Sequence, residues 1–303
     1  MRLGRYTTGK ESPWVGALVD DGTAGGPGPD GDVIDLAAAG AAAGVDLPTR
    51  TTDLLATWEW RRKAELAVEH ATATGIGLHD EADVERSAPV GSPEKVVCVG
   101  LNYRDHAEEG DNPIPEEPVL FSKFPTTVAG PDDTLSWDPD LTKKVDYEAE
   151  LVAVIGEKAR RVAPEDALDH VAGYLVGNDV SARDLQHGDG QWVRGKSLDG
   201  FAPTGPELVT DDAVEDPHDL AIWAEVNGER LQESSTANLI FGIDELVSFC
   251  SRAFTLKPGD LLFTGTPPGV GVYREPPVLL SEGDEVTVGV EDLGEITTEC
   301  TFD

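Results

Sequence analysis

Residues 147–156 read YEAELVAVIG. On an extended chain successive side chains face opposite ways, so Glu148, Glu150, Val152 and Val154 share one face, and Tyr147, Ala149, Leu151, Ala153 and Ile155 share the other. Both faces turn apolar downstream of the acids, which predicts a strand covered on both sides. Two carboxylates at the mouth of such a strand repel each other and resist leaving water unless a cation or a shared proton resolves the conflict. A third acid, Asp179, follows the apolar run VAGYLVGN and also falls at a strand end. Three hard oxygen donors with no Cys or His among them suit Mg²⁺, Mn²⁺ or Ca²⁺ better than zinc. A structural reading competes, because an E-x-E pair in a chain with 58 acids is often a solvated strand face.

Working outward, the chain from Val96 onward has short strands, Gly and Pro turns and few long helices. VVCVG, PVLFSKF and DLLFTG read as buried strands, DEVTVGVED and EITTEC as a pair, and Asn227-Gly228 as a hairpin turn. PEDALDHV suits a short helix, with Pro at its start and acids in its first turn, and a second helix is expected from about Ile243 to Ala253. The fold class is therefore mainly β with mixed α+β. Residues 1–90 read as a small N-terminal α+β module and 91–303 as a larger, strand-rich domain, with SAPVGSPEK as the linker. In the module, strands are expected at Arg2 to Tyr6 and Trp14 to Val19, turn chemistry at DDGTAGGPGPDGD, and helices over VIDLAAAGAAAG and Thr52 to Ala71. No repeat occurs at a solenoid period.

Acids outnumber bases by 58 to 23, a net charge of −35, while the apolar fraction is an ordinary 39%. Core strands and six Trp argue for a folded protein with an acidic skin, not a disordered one. The acids are spread along the chain, as expected of a protein adapted to a high-salt cytoplasm, where screening weakens self-repulsion. No nucleic-acid partner and no anionic membrane surface are expected, since either would be repelled and no basic stripe compensates. Cys98, Cys250 and Cys300 are too widely spaced for a disulfide frame or a zinc finger, which fits a reducing compartment. The opening MRLGRYTTGKESPW lacks an apolar signal core and no stretch reaches membrane-spanning length, so a cytoplasmic location is expected.

Three further patterns carry chemistry. Lys196, one of nine lysines, sits in the Gly-flanked WVRGKSLDGFAPTGP instead of on a charged helix. In NYRDHAEEGD, His106 and Glu109 are three apart and so neighbours on a helical turn, where a carboxylate can orient an imidazole that takes a proton from water. TGTPPGVG would bring backbone amides close to an anionic ligand, although its spacing matches neither a P-loop nor a dinucleotide fingerprint. The bland readings are a surface lysine, a solvated helix turn and a structural turn respectively.

In order along residues 95 to 300, VGLNYRDHAEE, PVLFSKFPTTVAGP, DYEAELVAVIG, GYLVGNDVSARDLQ, GKSLDGFAPTGP, VNGERLQ and GDLLFTGTPPGVG resemble the fumarylacetoacetate hydrolase family. The resemblance implies a catalytic domain of folded β-rolls, often a homodimer, with a divalent metal, Mg²⁺ or else Mn²⁺ or Ca²⁺, on the positions matching Glu148, Glu150 and Asp179. It implies an active-site lysine at Lys196, a water-activating lid pair at His106 and Glu109 as in the acylpyruvase-like branch, and substrate contacts at Arg183, Gln186 and Thr266. The expected partner is a small 2-oxo acid. The reading is carbon–carbon hydrolysis of a 2,4-dioxo acid of the acylpyruvate type through an enolate. Isomerisation or decarboxylation of an unsaturated 2-oxo-dioic acid or of oxaloacetate is the nearest alternative. Dehydration of a 2-oxo-3-deoxy sugar acid and non-enzymatic Ca²⁺ binding rank below it.

Overall fold

The computed structural model describes residues 1–9, 12–19, 32–109 and 113–303. Its frame is a twelve-stranded sheet with the strand Ala149–Ile155 near the middle, flanked on one side by Val171–Asn178 and on the other by Leu261–Phe263. Every residue of Ala149–Ile155 is buried. Leu151, Ala153 and Ile155 belong to one core cluster together with Ile222, Val288 and Ile296 of a second, five-stranded sheet. Val152 and Val154 belong to another cluster together with Leu54, Ala64 and Ala67 of the N-terminal helices. The continuous apolar run thus serves two layers at once, and its acidic start emerges where the layers part.

The first ninety residues add strands to the same sheet. Arg2–Thr7 pairs antiparallel with Ala202–Thr210, with Leu3 opposite Leu208, so the hydrogen-bonded ladder runs from the first ninety residues into the rest of the chain without a break. Trp14–Val19 forms the strand its sequence predicts. VID is a strand, Asp32–Asp35, and not the start of a helix: Val33 and Ile34 pair with Leu18 and Ala17. The helix begins at Leu36 because the Asp35 carboxylate accepts from the Ala37 and Ala38 amides at 2.9 and 3.0 Å. The expected helix Thr52 to Ala71 is two helices, Thr51–Leu55 and Trp60–Thr74, with Glu59 in a left-handed conformation at φ 54°. That break turns Trp60 into the core while Trp58 stays 82% exposed. DDGTAGGPGPDGD lies outside the described residues apart from Asp32.

Elsewhere the elements follow the residues closely. The helix Ile243–Ala253 has the expected bounds, PEDALDHV gives a helical turn and a 3₁₀ turn over Pro164–His170, and Asn227-Gly228 takes φ 52° and 77°, the paired left-handed geometry of a tight hairpin between Ala221–Val226 and Glu229–Ser235. Among the described residues no helix is long and apolar enough to cross a membrane.

Candidate active site

Glu148 and Glu150 come from the start of the central strand and Asp179 from the residue after the neighbouring strand; the Asp179 amide donates to the Glu148 carbonyl at 2.9 Å, which ties the two strand ends together. Oxygen atoms of all three carboxylates lie within 4.8 Å of one another, and all three side chains are buried. Lys196 reaches into this cluster from a short helix, Val193–Lys196, and donates to Glu148 Oε2 and Asp179 Oδ2, both at 2.7 Å. Its ammonium also lies 5.0 Å from the Phe121 ring centroid. Lys123, at the end of the strand Val119–Lys123, donates to Asp179 Oδ1 and, at 2.9 Å, to the Val180 carbonyl.

Arg183 opens the helix Arg183–Gly188 and is buried too. Its Nη1 lies 2.7 Å from Glu148 Oε1 and donates to Gln186 Oε1 at 3.1 Å, its Nε donates to Asp146 Oδ2 at 2.7 Å, and its Nη2 is buried with no partner. Four buried carboxylates, Asp146, Glu148, Glu150 and Asp179, therefore face three buried cations, Lys123, Lys196 and Arg183. Glu150 is the acid without an ion-pair partner among the described residues: its Oε2 accepts from the Gly265 amide at 2.7 Å.

The electrostatics divide the triad. Burial opposes a charge on Glu148, yet Lys196 and Arg183 outweigh it and hold the carboxyl down to about 2. On Glu150 burial acts together with the charges of Asp179 and Glu148, and the carboxyl is pushed well above its ordinary range. Burial drags Lys123 below the usual ammonium value despite Asp179, whereas for Lys196 the pull of Asp179 and Glu148 overcomes burial and raises it. A buried carboxyl crowded by two neighbouring carboxylates is the unresolved conflict that a divalent cation relieves, and hard carboxylate oxygens are the right donors for one. The three acids thus fit a divalent metal ion on donor chemistry, proximity and burial.

A cavity of about 340 Å³ lies over this floor, with His106, Glu148, Glu150, Arg183, Lys196 and Thr266 among its walls. His106 sits on the helix Arg104–Glu109; Glu109 Oε2 meets its Nδ1 at 3.1 Å, leaving Nε2 without a protein partner among the described residues. Gln186 lines the same cavity, and Thr266 donates to the Ala149 carbonyl at 3.0 Å while accepting from Gln232 at 2.9 Å. Of the nine residues singled out from the sequence, seven line this cavity; Asp179 lies beneath the floor and Glu109 behind His106.

The glycine-rich segment departs from expectation. Its amides bind the chain's own carboxylates: Gly265 holds Glu150, Gly269 holds Glu109 at 2.9 Å, and Gly271 and Val272 hold Asp146 at 2.7 and 3.0 Å. Sequence reasoning also passed over Lys123, Asp146 and Gln232. Lys123 carried a usable signal, since it falls on the same strand face as Phe121 in an otherwise apolar run.

Residues 95–301 match the family described as fumarylacetoacetate (FAA) hydrolase C-terminal. The chain belongs to the fumarylacetoacetate hydrolase family. Within it, the chain is 48% identical over 231 residues to the oxaloacetate tautomerase FAHD2B, mitochondrial, of Bos taurus, covering 76% of this chain and 73% of that one. The crystal structure of 5-carboxymethyl-2-hydroxymuconate delta-isomerase from Mycobacterium smegmatis superposes with a TM-score of 0.76 at 33% identity and covers all of both chains. Maleylpyruvate hydrolase from Sphingobium sp. SYK-6, solved in complex with manganese(II) ion and pyruvate, superposes at 0.77 with 28% identity, covering 100% of this chain and 99% of that one. This fumarylacetoacetate hydrolase family member is accordingly an enzyme whose buried acid triad can hold a divalent metal ion.

Proposed function

We propose that the enzyme interconverts the enol and keto forms of oxaloacetate or a closely related 2-oxo-dioic acid. The observation that carries this is Arg183: it stands with Gln186 in the wall of the cavity that holds Glu148 and Glu150, and brings there a guanidinium suited to a second carboxylate that a simple acylpyruvate lacks. Similarity to an oxaloacetate tautomerase supports the same choice and moves carbon–carbon hydrolysis, the first reading of the sequence, to second place.

Glu148, Glu150 and Asp179 would hold the ion, Mg²⁺ or Mn²⁺ before Ca²⁺, and when bound it supplies Lewis acidity toward a 2-oxo acid. His106 would then carry a proton to and from C3 through Nε2, with Glu109 fixing the tautomer by holding Nδ1. Two of the three Lys196 N–H groups are taken by Glu148 and Asp179; the third would donate to the substrate O2 and stabilise enolate charge there, the O2 proton of the enol being exchanged with water. Arg183 and Gln186 would seat the far carboxylate and Thr266 the near one. The partner is a small 2-oxo acid, the working form a homodimer and the setting a salty cytoplasm, neither nucleic acid nor membrane being engaged.

Hydrolysis stays in play because the His106–Glu109 pair can equally take a proton from water. Ultraviolet decay of enol oxaloacetate with Mg²⁺ or Mn²⁺, run beside product analysis on an acylpyruvate, separates the two. Acceleration well beyond metal alone with no pyruvate formed supports tautomerisation; cleavage of the acylpyruvate without enol decay replaces it with hydrolysis. In the supported case His106→Ala should lower kcat roughly 10²–10⁴-fold while Mn²⁺ affinity, read by calorimetry, holds.

A further inference from the structure

We infer that Gln232, acting with the Thr266 hydroxyl, is a positioning residue for the acid triad: the two side chains replace a strand that stops short of Ala149, and so fix how far apart the Glu148 and Glu150 carboxylates stand. This rests on the triad holding a divalent ion and is independent of which 2-oxo acid is turned over. The Asp179 amide bonds to the Glu148 carbonyl, so by antiparallel alternation the N–H and C=O of Ala149 face the other way, toward Leu261–Phe263. On that side the ladder pairs Val152–Val154 with that strand, and the Leu151 carbonyl still accepts from the Thr264 amide at 3.1 Å. Gly265 then turns, at φ 106°, and spends its amide on the Glu150 carboxylate. No backbone neighbour is left alongside Ala149.

Gln232 fills that place from the strand Glu229–Ser235 of the other sheet. Its Oε1 accepts from the Ala149 amide at 2.9 Å, and its Nε2 donates to Thr266 Oγ1 at 2.9 Å and to the Pro267 carbonyl at 2.8 Å. Thr266 Oγ1 donates in turn to the Ala149 carbonyl at 3.0 Å, which closes a ring of bonds around one residue. The partners fix which way the Gln232 amide points, since a backbone N–H only donates and a carbonyl only accepts. Gln232 is fully buried, so water does not stand in for it. On the opposite side the Glu148 amide donates to Asn178 Oδ1 at 2.9 Å. The peptide groups that join the two glutamates are therefore held from both flanks, and any rotation at Ala149 would move one carboxylate relative to the other. Gln232 is not in the cavity wall, and its effect on a metal ion passes through Ala149.

Calorimetric titration of the metal-free protein with Mg²⁺ and, separately, with Ca²⁺ tests this; no substrate is present, so contacts between Thr266 and a ligand do not enter. Mg²⁺ demands near-ideal octahedral geometry, whereas Ca²⁺ accepts a loose one. Gln232→Met, which leaves the Ala149 amide without its acceptor, should cut Mg²⁺ affinity about 10–100-fold and Ca²⁺ affinity less. A fault in folding alone would lower both ions together. Thr266→Val, nearly isosteric, should show the same Mg²⁺-selective loss, and Thr266→Ser, which keeps the hydroxyl, should bind both ions as wild type does. If Gln232→Met does not fold, the two Thr266 variants decide the matter. Unchanged Mg²⁺ affinity in either Gln232→Met or Thr266→Val, once folded, overturns the inference, as does an equal loss for both ions. Wild type that binds neither ion sinks the metal-site reading and this inference with it.

Discussion

Lys123 and Lys196 both meet Asp179, one at each carboxylate oxygen, and neither ammonium has appreciable contact with solvent. Removing either leaves Asp179 short of a countercharge in a place where water cannot replace it. Lys123→Met should accordingly destabilise the fold by about 3–5 kcal/mol, read from urea unfolding in the metal-free protein. Glu148→Gln behaves differently, because it removes the acid whose ionisation Lys196 and Arg183 enforce; turnover should fall at least roughly 10³-fold while the far-ultraviolet circular dichroism stays that of wild type. The sequence made Glu148, Glu150, Asp179 and Lys196 visible because each breaks a local pattern, an acid on an apolar strand or a lysine among glycines. Asp146 broke none: one more acid in a chain with 58 of them carries no signal until Arg183 and two loop amides are seen to converge on it.

At the level of elements, the segment Thr264–Gly271 joins parts that are far apart in sequence. Through Gly265 and Gly269 it holds one triad acid and one member of the His106–Glu109 pair. Gly265 takes φ 106°, and a Cβ there would lie 2.8 Å from that of Asn102, so Gly265→Ala must shift the amide that holds Glu150. The expected result is a loss of about 10–100-fold in Mn²⁺ affinity, measured by titration, with a smaller effect on the melting temperature. That this segment is a turn of close backbone approaches was legible from its glycines; what the amides approach was not, since the partners come from residues more than a hundred positions away. The same distinction separates the other elements. Ile243–Ala253 announced its bounds through its own periodicity, whereas Asp32–Asp35 is extended because of neighbours in the sheet that an Ala-rich sequence context does not disclose.

Over the whole molecule, the seam between the N-terminal strands and the catalytic portion contains an acid of its own. Glu207 lies on Ala202–Thr210, almost fully buried, with Arg2 3.9 Å away and Oε2 without a hydrogen bond. Burial outweighs the opposing pull of Arg86 and Arg2 and raises the carboxyl to about 7. A folded-state value above the unfolded one means the native state binds the extra proton. The stability tied to that proton is fully present below about pH 4.5, declines as pH rises and is gone above about 7. Glu207→Gln should therefore leave stability near pH 4 unchanged relative to wild type and raise it at pH 8 by up to about 3 kcal/mol, seen as the variant-minus-wild-type difference in denaturant unfolding across that range.

The pairing of Leu3 with Leu208 also has a bearing on how the chain is made. On a ribosome the first strand leaves the exit tunnel about 200 residues before its partner, which at 5–20 residues per second is a delay on the order of 10–40 s. During that interval Arg2–Thr7 can bond to Trp14–Val19 on one side and, through Arg5, Tyr6 and Thr7, to Glu85–Ser87 on the other, while Arg2 and Leu3 wait for Val209 and Leu208. Nascent-chain stages stalled before residue 202 should thus leave only the Arg2–Leu3 end of that edge bare to chaperones.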